Sequence, residues 1–392
     1  MPFIGNKPTS VPLTSSDITD GIITTTKIAD ANVTNPKLTS GSQQNFRNII
    51  INGDMSIAQR GTVTGIITNS YTLDRWITEG DDATLTVSQD TSVPSAQGFG
   101  KSLKIAVTTA NASVAAADEQ KIGQRIEGQL LQQLLYGTSS AKSFTLSFWV
   151  KSNITGTYGM QFQNDDNNKV QTATYSISSA DTWEKKTITI SGDTASGFDN
   201  DANRSFRVLW WLAAGSNFTS NNASSGAWIA RSSNLDSIAY GHAVNVTSST
   251  SNTFYITGVQ LEAGTTASDF EFLPADVNLA RCQRYYYEHA KGADKNIGNT
   301  AYYTSIYIMT VVFFPTTMRA APTMINAIVA DAYKVFVNGG FDAFNGYNVG
   351  IQNPTPNSTG MDCNANISGT AGHIGRALTR TSDGLLAFSA EL

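Results

Sequence analysis

An all-β chain in three parts is the fold class this sequence predicts. Three observations lead there. The 392 residues are rich in Thr, Ser, Asn and Gly, and long Leu/Ala/Glu/Lys runs are nearly absent. Many short segments alternate apolar and polar residues between turn-forming clusters, the pattern of a sandwich or jelly roll. The clearest of these, Lys142–Ser152, sets Phe144, Leu146, Phe148 and Val150 against Thr145, Ser147, Trp149 and Lys151. Trp149 breaks the polar half of that alternation. An aromatic on the wrong face of a strand packs under a second layer, meets another subunit, or meets a ligand.

Composition excludes several function classes. Net charge is −5 and only 15% of residues are charged, so no electrostatic case exists for nucleic acid. No apolar run approaches the roughly 20 residues that span a bilayer, so no membrane insertion is expected. Met1–Lys7 lacks a charged region followed by an apolar one, which predicts synthesis in a cytosol without export. Cys282 and Cys363 are the only cysteines, too few for a disulfide framework.

Residues 1–45 carry a repeat. Leu13, Ile18, Ile23, Ile28, Val33 and Leu38 fall at intervals of five. Neither the helical nor the strand period accommodates five. Three chains wound together would bury one residue per pentad, giving an extended trimeric shaft; a disordered polar linker is the alternative. Ile49–Ile51 then reads as a brief strand and Asn52-Gly53 as a turn, opening a central domain over 46–275. Its strands are expected at Asp74–Thr78, Ala83–Ser88, Leu103–Thr108, Lys142–Ser152, Gly159–Gln163, Thr172–Ser178, Glu184–Ser191, Ser205–Ala213, Gly226–Ile229 and Asn252–Glu262. Gln120–Tyr136, with Ile122, Ile126, Leu130 and Leu134 four apart, reads as a helix. All six tryptophans lie in this jelly-roll β-sandwich, the large-core domain.

Residues 276–392 read as a smaller, β-sandwich-like tip. Val277–Arg284 predicts one or two helical turns. Ala301–Phe314 predicts one long strand stopped by Pro315. Met324–Ala330, Lys334–Asn338 and Leu385–Glu391 predict further strands, and Gly346–Gly360 a loop.

Three sets of residues resemble one family. Asp17-Ile18-Thr19-Asp20-Gly21 with Lys27–Asp30 and Lys37-Leu38 resembles repeats near the N-termini of bacteriophage tail fibres. Asn48–Met55 with Gln59-Arg60, and Tyr255–Gly264 followed by Ala280–Glu288, resemble the two ends of a jelly-roll module of marine and cyanobacterial phage fibres. Phe148–Lys151 and Gln124–Gly128 resemble carbohydrate-binding jelly rolls attached to glycanases. Met318–Thr323 and Phe388–Leu392 recur in such fibres. The resemblance implies a homotrimeric virion fibre on tail or capsid, assembled in the host cytoplasm. It would be held to other virion proteins by its N-terminal segment and carry host-recognition surface toward its C-terminus.

The residues nominate binding rather than chemistry. Sugars are held by aromatic platforms rimmed by amide, carboxylate and guanidinium groups. Trp149, Trp211 and Arg207 share the mixed-face phase of their strands and form the candidate glycan platform; a covering segment or subunit is the alternative. Tyr285–Tyr287 with Tyr302, Tyr303 and Tyr307 face either a receptor or neighbouring subunits. Within the Gly346–Gly360 loop, Tyr347, Asn348, Asn353 and Asn357 are candidate receptor contacts. Asp199, Asp201 and Asn203 place oxygens at alternate positions. An EF-hand is excluded because Arg204 stands where Gly is needed; a looser structural Ca²⁺ site or a solvated turn fits. No other cofactor is called for. His242, His289 and His373 lack metal-ligand spacing, and no nucleophile elbow, phosphate loop or nominated carboxylate pair appears. The expected function is non-catalytic adhesion to host glycan, with a tailspike-like depolymerase and a structural virion adaptor or decoration as alternatives.

Overall fold

A computed structural model describes residues 46–219, 226–231, 238–348 and 352–392. The shaft positions Leu13 to Leu38 lie outside the described residues. In chain order the first strands are β1 (Val63–Ile66), β2 (Ser70–Tyr71), β3 (Trp76–Gly80), β4 (Thr84–Asp90), β5 (Ser102–Thr109), β6 (Glu119–Glu127) and β7 (Phe144–Ser152). Then come β8 (Gly156–Asn164), β9 (Lys169–Ile177), β10 (Glu184–Ile190), β11 (Arg204–Ala214), the short helix α1 (Ser216–Thr219), β12 (Ile229–Ala230) and β13 (Thr253–Ala263).

These strands build two antiparallel sheets. One has the order β1-β4-β5-β13-β7-β10 and the other β12-β9-β8-β11-β6-β3-β2. Their facing sides form one core, as a sandwich requires. Phe144, Leu146, Phe148 and Val150 of β7 meet Phe162, Phe206 and Trp210 of the opposite sheet. Phe148 and Trp210 stand edge to face at 5.5 Å between centroids, and Phe144 and Phe162 at 5.4 Å. The alternation read at Lys142–Ser152 therefore points its apolar half inward.

The segment expected to be a helix is not one. Gln120–Glu127 lies within β6, followed by 3₁₀ turns at Gly128–Leu130 and Gln132–Leu134. A spacing of four is also a multiple of two, so Ile122 and Ile126 share a strand face as readily as a helical one. Gln124, between them, hid the alternation. It points into the core, where its amide accepts from the Ile51 N–H at 2.9 Å and donates to the Ile51 carbonyl at 2.8 Å. Ile49–Ile51 is buried without joining a sheet: the Ile49 N–H donates to the Leu261 carbonyl, the Ile50 N–H to the Asn48 side chain, and Gln124 serves both backbone groups of Ile51. Gly53 follows because a Cβ there would sit 2.1 Å from the Val259 carbonyl oxygen.

Beyond α2 (Ala275–Gln283), a second core gathers strands β14 (Tyr286–Lys291), β15 (Asn296–Thr304), β16 (Tyr307–Phe313), β17 (Thr323–Asn326), β18 (Tyr333–Val337), β19 (Gly340–Phe344), β20 (Ser358–Cys363), β21 (Ile374–Thr379) and β22 (Leu385–Ser389). They form sheets β14-β22-β17 and β19-β18-β21-β15-β16-β20. The single long strand expected over Ala301–Phe314 is a hairpin. Thr304 pairs with Tyr307 around Ser305-Ile306, a turn with no Gly or Asn to announce it.

Residues Phe46–Leu392 form one compact unit. Charge joins its two cores. Glu391 pairs with Arg75, which is 1% exposed, and with Arg60 at 3.0 Å. The Arg75 guanidinium lies 3.5 Å from the Tyr285 ring centroid and that of Arg60 3.7 Å from Tyr286. Arg284 grips buried Glu127 with both arms at 2.9 and 2.8 Å. Removing one partner of a buried pair leaves the other charge uncompensated. Glu391→Ala is expected to lower unfolding free energy by about 3–5 kcal/mol, measured by urea denaturation.

Candidate functional site

The outer face of the seven-stranded sheet carries rows of side chains set by strand register. Arg207 of β11 stands opposite Arg125 of β6 and Gln163 of β8. Leu209 stands opposite Gly123 and Gln161, and Trp211 opposite Lys121, whose other neighbour is Glu79 of β3. Leu209 fills the space over Gly123, where a Cβ would meet its side chain at 2.6 Å. Around this floor opens a groove of about 830 Å³.

Its walls are polar and cross-linked. Glu79, 4% exposed, accepts from Arg125 Nε at 2.9 Å and Nη2 at 2.7 Å, and from Arg207 Nη1 at 3.5 Å. Asp165 accepts from Arg207 Nη2 at 2.7 Å and lies 2.9 Å from Arg204 Nε. Burial pushes the Glu79 carboxyl up, but Lys121, Arg207 and Arg125 more than offset it and hold the carboxyl below its ordinary value. Burial also lowers the Lys121 ammonium, despite its 2.7 Å bond to Glu119. Gln161 donates to Gln163 at 2.8 Å, yet its own Oε1, buried in the groove lining, has no hydrogen-bond partner among the described residues. A buried amide oxygen without a donor carries a desolvation penalty until one arrives.

Of the expected platform, Arg207 alone lies in this groove. Trp149 projects from the other sheet, on the far side of the sandwich. Trp211 shares the groove's sheet but is fully buried. Phe218 of α1 lies 5.5 Å from its ring, and Ile238, Ala239 and Val170 complete a small cluster around it. The three residues therefore form no common platform. The chain turns into α1 directly after β11 and folds back over Trp211, a long-range return that strand phase does not encode.

The other nominated residues separate similarly. Tyr347 is 2% exposed and packs on Tyr333 and Phe344, so it belongs to the second core and not to a receptor-facing loop. Its aromatic ring found apolar partners that a Gly/Asn-rich reading overlooked. The Asn348 N–H donates to the Asp362 carbonyl, while Asn353 and Asn357 are exposed. Tyr285, Tyr286 and Tyr302 are buried and Tyr303 is 71% exposed. The Asp201 carboxylate accepts from the N–H and side-chain amide of Asn203, an Asx-type turn. Among the described residues, no three His, Cys, Asp or Glu side chains converge as metal ligands.

Sequence reasoning missed Glu79, Lys121, Arg125 and Gln161. The available signal was charge and amide recurring at one phase of otherwise apolar strands. Calling Gln120–Tyr136 a helix erased that phase for two of them.

No protein-family model and no curated protein matches the chain. Solved structures that resemble it include the enzymatically active domain of tailspike protein 4 of bacteriophage CBA120, at 14% identity and TM-score 0.29, over 55% of this chain and 21% of that one. A family 11 carbohydrate-binding module from Clostridium thermocellum, complexed with a β-1,3-1,4-mixed-linked tetrasaccharide, matches at 12% and 0.25, over 53% and 98%. The CBM22-1 xylan-binding domain of Paenibacillus barcinonensis Xyn10C matches at 10% and 0.27, over 56% and 96%. At these scores the likenesses assign no site to this chain.

His242 anchors the segment that covers Trp211. Its Nδ1 accepts from the Gly159 N–H at 3.1 Å, and burial lowers its pKa to about 4. The unfolded imidazole takes up its proton near pH 6.5, so between there and about pH 4 the unfolded state binds more protons. Stability contributed by the neutral ring is present above pH 6.5 and is lost as pH falls through that window, by about 3 kcal/mol in all. His242→Gln is expected to flatten this part of the stability profile, followed by urea unfolding at successive pH values.

Proposed function

We propose that this chain is a bacteriophage virion fibre protein that adheres to a host surface by binding glycan, without catalysing a reaction. The observation that carries the reading is the groove on the seven-stranded sheet. Its guanidinium, carboxylate and amide groups are held rigid by one another. Glycan hydroxyls accept from such guanidinium groups and donate to such carboxylates. Preorganised polar groups on a sheet lose little freedom on binding.

Glu79 counts against hydrolysis. A glycosidic general acid needs a carboxyl whose pKa is raised, and the cations around Glu79 move it the other way. In the same reading, the pentad segment winds three chains into a shaft that docks to other virion proteins, and the exposed residues of the distal strands face the host.

Gln161→Leu removes an amide of the groove lining with little change of shape, and the Gln163 oxygen that loses its donor still accepts from Arg231. It is expected to weaken binding of host polysaccharide about tenfold without lowering the melting temperature. Isothermal titration with purified host polysaccharide tests this, and release of reducing ends during the same incubation would replace adhesion by depolymerisation. Light scattering is expected to give a trimeric mass for the full chain and a smaller one for a chain starting at Gln44. A monomeric full chain would remove the shaft.

A further inference from the structure

Trp149 leaves the core phase of β7 and stands on the outer face of the six-stranded sheet, opposite Lys185 of β10 and Thr257 of β13. Just past Thr257 the register between β13 and β7 shifts, and Gly258 adopts φ of 61°. This bulge leaves bare backbone beside Trp149. A Cβ at Gly258 would lie 2.5 Å from the Phe99 ring, so glycine admits that ring against the sheet. Phe270 and Phe272, on the segment after β13, close around Phe99 at 5.0 and 5.1 Å. Together they enclose a pocket of about 200 Å³, with Trp149 as one wall and Lys185 and Asp269 at its edge.

The polar edge distinguishes this pocket from a patch of core. The Lys185 ammonium and Asp269 carboxylate make no hydrogen bond or ion pair within the described residues, although their neighbours do. Trp149 is half-buried and Phe272 is 51% exposed, so aromatic surface borders free donor and acceptor groups. A pyranose has the matching chemistry: a C–H face that packs on an aromatic ring, and hydroxyls at its rim that accept from an ammonium and donate to a carboxylate. A purely apolar guest would desolvate both charges without pairing them. The volume lies below the roughly 300–1,000 Å³ of pockets for drug-sized ligands, which suits one ring and not an oligosaccharide.

We propose that this pocket is a second saccharide site, holding a single pyranose ring against Trp149. It lies on the sheet opposite the groove and shares no lining residue with it.

The experiment titrates the full chain with methyl glucoside, galactoside, mannoside and N-acetylglucosaminide, reading tryptophan fluorescence and saturation-transfer NMR. Wild type, Trp149→Ala, Lys185→Ala and Gln161→Leu are compared, each checked for an unchanged melting temperature. At least one glycoside is expected to bind saturably to wild type and to Gln161→Leu, and about tenfold or more weakly to Trp149→Ala. Lys185→Ala is expected to weaken it severalfold, and because that side chain is exposed and unpaired, misfolding cannot mimic the loss. Binding lost only in Gln161→Leu would place the ring in the groove and overturn the second site while leaving the first. Absence of glycoside binding in a protein that still retains polysaccharide through the groove would overturn it as well. Absence of both would remove the glycan reading altogether.

Discussion

Arg125 and Arg207 stand directly opposite one another on paired central strands, an arrangement that by itself destabilises a sheet. Glu79 makes it tenable. Its carboxylate takes two bonds from Arg125 and one from Arg207, and Asp165 engages the rest of Arg207. Once those charges are fixed, the floor around them is fixed too. Leu209 must lie over Gly123, and Lys121 must sit over Trp211, 4.6 Å from its ring centroid. A polar groove on a sheet face keeps its shape only if its charges hold one another, because no packing force does so in the open. Here they are mostly buried, where mutual attraction is stronger and rearrangement costs more.

The same economy of charge continues into the seam between the two cores. Arg125 Nη1 also donates to the Leu392 carbonyl at 2.6 Å, and the Tyr71 hydroxyl donates there at 2.7 Å. Apolar contact at the seam is slight: Ile51, Cys282 and Tyr285 form a cluster with Leu130 and Leu392 beside it. Arg75, Glu391, Glu127 and Arg284 supply the rest. Desolvated ion pairs contribute less net stability than packed hydrocarbon, yet tolerate far fewer relative placements of their partners. This seam is therefore weak as glue and strong as a locator. It holds the second core in one orientation beside the wall of the groove.

Much of the sandwich was legible from alternation. β5, β7, β10 and β13 fall within a residue or two of their expected bounds, because apolar side chains at period two have few other folds open to them. What failed did so at residues with two uses. Gln124 occupies a core position as a hydrogen-bonding side chain, so Gln120–Tyr136 lost its strand signature. Ser305-Ile306 turns a hairpin without Gly or Asn, so β15 and β16 read as one strand. The groove was harder still. Arg207 was nominated from the phase of its own strand, but Glu79 and Arg125 reach it from strands far away in sequence, and pairing order cannot be read from one strand at a time.

Trp149 and Trp211 show how far strand phase can take a functional argument. Both break the polar face of a core strand, and by sequence they are equivalent. β11 runs straight into α1, whose Phe218 returns over Trp211 and buries it. β7 runs instead into β8, which departs for the opposite sheet and leaves the outer face of Trp149 uncovered from that end. The segment that does approach Trp149 comes from the far end of β13, and its Phe270 and Phe272 close around Phe99, the ring that the Gly258 bulge admits against the sheet. Out-of-phase aromatics therefore acquire their role from the connection that follows them. Where that connection doubles back, the ring is buried; where it crosses to the other sheet, the ring stays partly exposed.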